Sequence, residues 1–285
     1  MRMAYFPGCK AHFHLKPYGA AVEAVMKHLG VTLVRLPFNC CGNPARGKSL
    51  VASVLAAVKN ISLAESRGLD IFTPCKCCYG QLKHGLHWYS TDPGIREQVN
   101  LLLAEERMVF RGRGLVQDPV SGRLDKRAVR IRHLLDFLYR DLGRDRFAGM
   151  VRQGGPRKKI VLQQGCHALR PFTVTQFDDP SAPRIFRELA RIIGLEVLDW
   201  TRETECCGDP VAETHKDMAL SMGREKLIHA RNAGADYICT ACTHCQIQYE
   251  RIGQETGRAR ALPFVVFLAE SIGADPGKLP KAWNR

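Results

Sequence analysis

Apolar residues along the chain fall into short blocks that alternate between strand and helix spacing, and the alternation is written twice. In the first half, Tyr5-Phe6 ends a short apolar run at Pro7-Gly8. Ala20 to Leu29 then carries apolar residues at helical spacing and leads through Gly30 into the β-rich run Val31 to Val34. In the second half, Leu162 closes an apolar run before Gly165, Ile185 to Ile193 repeats the helical spacing, and Gly194 leads into Leu195 to Leu198. A further helix follows in each half, Leu50 to Ser66 and Asp217 to Ala233, and then a short strand, Asp70 to Thr73 and Asp236 to Thr240. Strands alternating with helices predict an α/β fold with a parallel sheet in each half. Such sheets place their ligand sites beyond the carboxyl ends of the strands.

The stretch from Gly143 to Lys159 is rich in Gly, Arg and Lys, with Gly154-Gly155-Pro156 as its clearest breaker, so the expected domains are 1–150 and 151–285. A length of 285 residues with 45% hydrophobic content gives each half enough material for a core and excludes disorder and small disulfide scaffolds. Arg111 to Ala128 reads as an exposed loop before a helix from Ile131 to Tyr139. The longest apolar stretches, such as Leu262 to Ala269, fall short of the ~20 residues of a membrane-spanning helix. Pro7-Gly8-Cys9 interrupts the N-terminus where a signal peptide needs a continuous apolar run, so the expected location is the cytoplasm.

The candidate chemistry lies in 12 cysteines, which in a reducing cytoplasm point to metal ligation or redox work rather than disulfides. Each half contains a lone Cys, then Cys-Cys-Gly, then C-x-x-C. These are Cys9, Cys40-Cys41-Gly42 and Cys75/Cys78, and again Cys166, Cys206-Cys207-Gly208 and Cys242/Cys245. Each motif follows a predicted strand, which brings the three sets of a half to one sheet edge. Five thiolates exceed the four ligands of a closed zinc site, whereas thiolates suit iron–sulfur clusters. Adjacent cysteines fit a cluster whose neighbouring irons accept both, one of them bridging.

This pattern closely resembles the cysteine-rich CCG domains of the heterodisulfide reductase B-subunit family. The resemblance covers nearly the whole chain. It rests on Tyr5-Phe6-Pro7-Gly8-Cys9, Asn39-Cys40-Cys41-Gly42, the run Val129 to Leu135, Gly165-Cys166-His167 with Leu169-Arg170-Pro171, and Arg224-Glu225-Lys226-Leu227 before Ala233-Gly234-Ala235-Asp236. It implies two Rossmann-like domains related by a pseudo-twofold axis, each holding a noncubane [4Fe-4S] cluster. Carried over, the first cluster takes Cys9, Cys40, Cys41, Cys75 and Cys78, and the second takes Cys166, Cys206, Cys207, Cys242 and Cys245. Cys77 and Cys239 are left over as small, semi-buried apolar residues.

The resemblance further implies cleavage or formation of a disulfide between the two clusters, with a small ferredoxin-like subunit and a flavoprotein subunit as electron partners. The excess of Arg over Lys leans toward a bacterial sulfur-oxidising complex working with a lipoate-binding carrier protein. The alternatives are a methanogenic coenzyme M–coenzyme B heterodisulfide reductase, or an electron-relay role in lactate, glycolate or glycerol-3-phosphate oxidation. A zinc-stabilised interaction module is the competing class.

His167 and Arg170, just after Cys166, are weak candidates for orienting an anionic substrate or donating hydrogen bonds to the cluster. His12 and His14 hold the matching place after Cys9. Lys76 reads equally as a support for thiolates or as a surface lysine, and His215 and His244 read as non-ligands. Gly47-Lys48-Ser49 lacks the first glycine of a phosphate loop and no dinucleotide fingerprint is present, so neither nucleotide nor flavin is expected.

Charge changes the picture least. Net +14 resembles a nucleic-acid footprint, but no binding motif interleaves the basic residues with aromatics. Ten thiolates and two [4Fe-4S]²⁺ cores would take +14 to +8, and residues 105–159 alone hold 15 Lys or Arg against 7 Asp or Glu. That stretch reads either as a docking surface for an acidic partner or carrier, or as an ordinary solvated face.

Overall fold

A computed structural model describes residues 1–112, 129–152, 154–155, 157–256, 261–277 and Trp283, the last residues before 257 by their backbone only. Its strands fall into two sheets of identical design. The first holds β1 (Arg2–Tyr5), β2 (Thr32–Arg35), β3 (Ile71–Thr73) and β4 (Ile131–His133) in the order β2-β1-β3-β4. The second holds β5 (Lys159–Gln163), β6 (Glu196–Val197), β7 (Tyr237–Thr240) and β8 (Ala261–Pro263) in the order β6-β5-β7-β8. Every pairing is parallel. Met3, Ala4, Ile71, Phe72, Ile160, Val161, Leu162 and Ile238 are buried, as expected for central strands covered by helices on both faces.

The first half carries α1 (Cys9–Phe13), α2 (Lys16–His28), α3 (Leu50–Ser66), α4 (Lys76–Thr91), α5 (Pro93–Glu105), α6 (Leu134–Asp136) and α7 (Arg144–Ala148). The second carries α8 (Cys166–Leu169), α9 (Phe172–Thr175), α10 (Ile185–Ile192), α11 (Lys216–Asn232), α12 (Thr243–Thr256) and α13 (Phe264–Ile272). No helix among the described residues is long and apolar enough to cross a membrane.

One stretch differs from expectation, and a second holds an element for which none was expected. The helix read from Ile131 to Tyr139 begins as β4, with Ile131 in register with Ile71, and continues through α6 into a π-helical turn, Phe137–Asp141. The apolar run at Leu262 begins inside β8 and turns into α13 at Phe264. In both, a three-residue strand runs straight into a helix, and periodicity cannot resolve a strand that short. The loop expected at 111–128 lies, from 113 onward, outside the described residues.

Four arginines of the basic stretch after residue 105 pair with the protein's own carboxylates. Arg130 meets Asp70 at 2.7 Å, Arg132 lies 2.7 Å from Asp141 and 3.2 Å from Asp136, Arg140 also binds Asp136, and Arg144 lies 3.2 Å from Glu188. These pairs lie at the surface, with the Arg130, Arg140 and Arg144 side chains 49%, 42% and 55% exposed.

The halves are packed together through α4. Gly80 of α4 lies so near α8 that a Cβ there would come within 2.1 Å of the His167 carbonyl oxygen. His133, at the end of β4, is fully buried and places Nε2 3.2 Å from the Pro74 carbonyl and 3.1 Å from the Ala241 carbonyl. Its Nδ1 accepts from the Leu135 N–H at 3.1 Å, which leaves the proton on Nε2 to be shared between one carbonyl from each half.

Candidate metal centre at the facing sheet ends

Every cysteine motif follows the carboxyl end of a parallel strand, and glycines make the turns. Cys9 opens α1 after Gly8, whose φ is 76°, and a Cβ on Gly8 would fall 2.8 Å from Cys78 Sγ. Cys40-Cys41 follow β2 and end in Gly42 at φ 92°, where a Cβ would strike the Ser53 carbonyl oxygen at 2.4 Å. The second half repeats the device. Cys166 opens α8 after Gly165 (φ 74°), and Gly208 (φ 93°) closes Cys206-Cys207 with its α-carbon facing Ala219. Cys75 and Cys242 stand at the ends of β3 and β7, each just before the helix that carries the second cysteine of its C-x-x-C. Only glycine tolerates both the positive φ and the close approach at these turns.

All twelve cysteines are free thiols. Ten of them lie close enough to shift one another's ionisation, neighbour by neighbour, in an unbroken string. It runs Cys9, Cys40, Cys41, Cys78, Cys75, then Cys242, Cys245, Cys207, Cys206, Cys166. Its midpoint is the contact between the halves, Cys75 Sγ to Cys242 Sγ at 3.9 Å. The order is mirror-symmetric about that contact. Cys77 and Cys239 stand outside the string, and burial pushes both thiols up. By contrast, hydrogen bonds from Cys41 and Cys9 hold Cys40 low, and hydrogen bonds from Cys166 and Cys207 do the same for Cys206.

Among the described residues no group of three His, Cys, Asp or Glu side chains is arranged to hold a single metal ion. The thiols are spread along a line of soft donors, five to each half, a donor set that fits thiolate-ligated iron–sulfur chemistry. Cys9, Cys40, Cys166 and Cys206 are half-buried and the other six are buried, so the centre of the string is dry and its ends are accessible. A cavity of about 700 Å³, lined by Phe6, Pro7, Phe13 and Phe38 among others, opens onto Cys9 and Cys40.

Lys76 is a correction to the surface-lysine reading, because it is fully buried. It crosses into the second half, donates from Nζ to the Gln164 carbonyl, and lies 4.7 Å from the Phe186 ring centroid and 5.1 Å from that of Phe177. Burial pushes its pKa down to about 8. Gly165 makes room for it, since a Cβ there would come within 2.7 Å of Lys76 Cδ. The corresponding residue of the other C-x-x-C, Thr243, reaches the opposite way and donates its hydroxyl to Cys75 Sγ at 3.1 Å. Each motif thus sends its second residue into the other half.

The histidines separate sharply. His167 is held neutral, pushed down to about 4 by burial and then by His84 and Arg46. Its Nε2 accepts from Arg46 at 3.2 Å and its Nδ1 faces Cys77 Sγ at 3.6 Å, so it touches a cysteine outside the string. Arg170 is exposed beyond the end of α8, and its carbonyl faces His84 Nε2 at 3.2 Å. His12, His14 and His215 are exposed. His244 is buried on Asp209, and although burial opposes its charge, the carboxylate raises its pKa.

Two residues that sequence reasoning missed support the Cys-Cys turns. Asn60 of α3 donates from Nδ2 to the Cys40 carbonyl at 3.0 Å and accepts from the Asn39 N–H at 2.9 Å. Lys226 of α11 donates to the Glu205 carbonyl at 3.1 Å and to that of Arg202. Aligning the halves of the sequence on Cys40 and Cys206, 166 residues apart, places Asn60 on Lys226, so the repeat itself held this signal.

Comparison with known proteins agrees with this geometry. The model of the CCG cysteine-rich domain matches residues 3–83 and 160–250. The B-subunit of the ferredoxin/F(420)H(2)-dependent CoB-CoM heterodisulfide reductase of Methanosarcina acetivorans is 28% identical over 98% of this chain and 91% of its own. A heterodisulfide reductase B-subunit-like protein of Archaeoglobus profundus is 28% identical over 98% and 93%. The 8-methylmenaquinol:fumarate reductase membrane anchor subunit of Wolinella succinogenes is 24% identical over 95% and 90%. A hypothetical protein from Helicobacter pylori shares the fold with a TM-score of 0.70 at 13% identity, over 96% of this chain, which spans about half (49%) of that one. With both halves matched and every cysteine motif at a strand end, the chain belongs to the CCG family of cysteine-rich domains and carries two of them.

Proposed function

We propose that this chain is the disulfide-handling iron–sulfur subunit of a heterodisulfide reductase-like oxidoreductase. In this reading domains 1–150 and 151–285 each hold a noncubane [4Fe-4S] cluster. Cys9, Cys40, Cys41, Cys75 and Cys78 hold the first, and Cys166, Cys206, Cys207, Cys242 and Cys245 hold the second. The observation that carries it is the mirror-symmetric string of ten thiols meeting at 3.9 Å between Cys75 and Cys242, with the other two cysteines left out. Family likeness supports the same class, since relatives over nearly the whole chain are named as heterodisulfide reductase subunits.

When bound, the clusters supply one-electron steps and iron that takes up a substrate sulfur. The protein's own part is to hold and shield. Thr243 donates to the Cys75 sulfur, and His133 ties the carbonyls before Cys75 and Cys242 to one imidazole, fixing the spacing of the two C-x-x-C turns. Burial of Cys75 and Cys242 keeps water from the midpoint. The half-buried Cys9, Cys40, Cys166 and Cys206 give each half one accessible end, and in this reading each sulfur of the substrate meets the site of one half.

The finer reading is a cytoplasmic role in sulfur oxidation, with a ferredoxin-like subunit, a flavoprotein subunit and a lipoate-binding carrier as partners. The number of cysteines and the Arg excess support it. An electron-relay role is the second reading, favoured by the relative named as part of a menaquinol:fumarate reductase.

Anaerobic purification with iron and sulfide analysis, followed by electron paramagnetic resonance during titration with a disulfide, tests these readings. About eight iron and eight sulfide per chain are expected, with a signal that changes on adding the disulfide. Clusters that can be reduced but ignore the disulfide would favour the relay reading. About two zinc and no sulfide would overturn both.

A further inference from the structure

The two halves repeat the same backbone, but they do not repeat the same charge. Asn60 and Lys226 occupy equivalent positions and do the same hydrogen-bonding work. Asn60 donates to the Asn39, Cys40 and Ala56 carbonyls at 3.4, 3.0 and 2.8 Å. Lys226 donates to the Arg202 and Glu205 carbonyls just ahead of Cys206, with Nζ 5.0 Å from the Trp200 ring centroid. The first half shows that a neutral amide is enough to brace the turn. The second half uses an ammonium instead, on a side chain only 1% exposed.

The domain-crossing pair adds to the difference. Lys76 leaves the first half and places its ammonium on the Gln164 carbonyl, two residues before Cys166. Thr243 returns only a hydroxyl to Cys75. The second set of thiols therefore lies among two buried ammonium groups, and among the described residues no equivalent buried ammonium serves the first.

Of the acidic groups on the second side, Glu205 pairs with Arg202 at 3.0 Å and Glu203 with Arg187 at 2.7 Å. Asp178 accepts the Arg184 and Ile185 N–H groups at 2.8 and 2.7 Å and keeps a charge that faces Lys76, which leaves Lys226 as the main source of the difference. On the first side, Lys10 and Arg46 have access to solvent and are screened, and His244 is paired with Asp209. Each reduction adds negative charge, and a cation in a dry site stabilises that charge far more than one in water.

We infer that Lys226 and Lys76 make the two cluster sites unequal, holding the second, at Cys166, Cys206, Cys207, Cys242 and Cys245, at the higher reduction potential. Electrons that reach the pair then settle on the second site first. This rests on the two-cluster reading above.

The test is a redox titration of the anaerobically reconstituted full chain, followed by electron paramagnetic resonance, for wild type, Lys226→Gln and Lys226→Arg. Two reduction steps are expected in the wild type. Lys226→Gln should move only the higher step to lower potential, and Lys226→Arg should leave it in place, which a purely structural role would not do. If Lys226→Gln loses iron, Lys76→Gln carries the same expectation. Two clusters that titrate together, or a Gln variant whose steps do not move or move equally, would overturn the inference and leave the cluster reading standing. A chain that binds no iron and sulfide would remove both.

Discussion

Cys77 and Cys239 differ from the other ten cysteines in their neighbours, not in how deeply they lie. Both are buried, more deeply than the semi-buried state expected of them, yet neither joins the thiol string. Cys77 faces His167 instead, and Cys239 sits inside β7 beside Leu262 of β8. Iron content should follow the string rather than burial. Cys77→Ala and Cys239→Ala should keep full iron and sulfide, while Cys41→Ala and Cys207→Ala should each lose about half, since each breaks one of two sites. Full iron in either of the latter variants would remove that cysteine from the proposed site. The order of the ten proposed ligands was legible because the two halves repeat it, the match to Cys75/Cys78 selecting Cys242/Cys245 over the equally spaced Cys239/Cys242. Lys76 was not, because a lysine between two cysteines reads as solvent-exposed until a glycine in the other half, Gly165, is seen to open a channel for it.

At the scale of elements, helices with strong start signals appear where the sequence places them. α3 runs from Leu50 to Ser66 as expected, because Ser49 caps it by accepting the Ala52 N–H at 3.2 Å. β4 and β8 were missed because each is three residues long and contributes its register to the sheet edge, a long-range property that no local period encodes. The helix α5 offers a test of local signals alone. Asp92 accepts the Ile95 N–H at 3.0 Å, and Pro93 supplies the first helical residue with no N–H to satisfy. Asp92→Ala should cost about 1 kcal/mol, and Asp92→Asn much less, read from denaturant midpoints at unchanged slope. Iron content should be untouched in both, since Asp92 makes no contact with the thiol string. A loss of iron in Asp92→Asn would mean that α5 supports the site in a way this geometry does not show.

For the whole molecule, the decisive feature is that the halves are joined at the place where their chemistry meets. His133 is the clearest joint, one neutral imidazole donating to a carbonyl ahead of each C-x-x-C while its other nitrogen accepts a backbone N–H. Burial, then the nearby Lys76 ammonium, push its pKa down to about 3, against the partial opposition of Cys75. The sign of the linkage follows. In the unfolded chain this histidine takes up a proton near pH 6.5, whereas in the fold it stays neutral to about pH 3. Between those values the unfolded state binds the extra proton, so stability falls as pH falls. The slope from this one group is at most about 1.4 kcal/mol per pH unit. His133→Gln keeps a donor but cannot titrate, so its stability should fall less steeply than that of the wild type between pH 7 and pH 5, although it starts lower. Chemical unfolding of both proteins at the two pH values measures this. Equal pH dependence would show that His133 is not held neutral, and that the spacing of Cys75 and Cys242 is set by the packing of α4 on α8 instead.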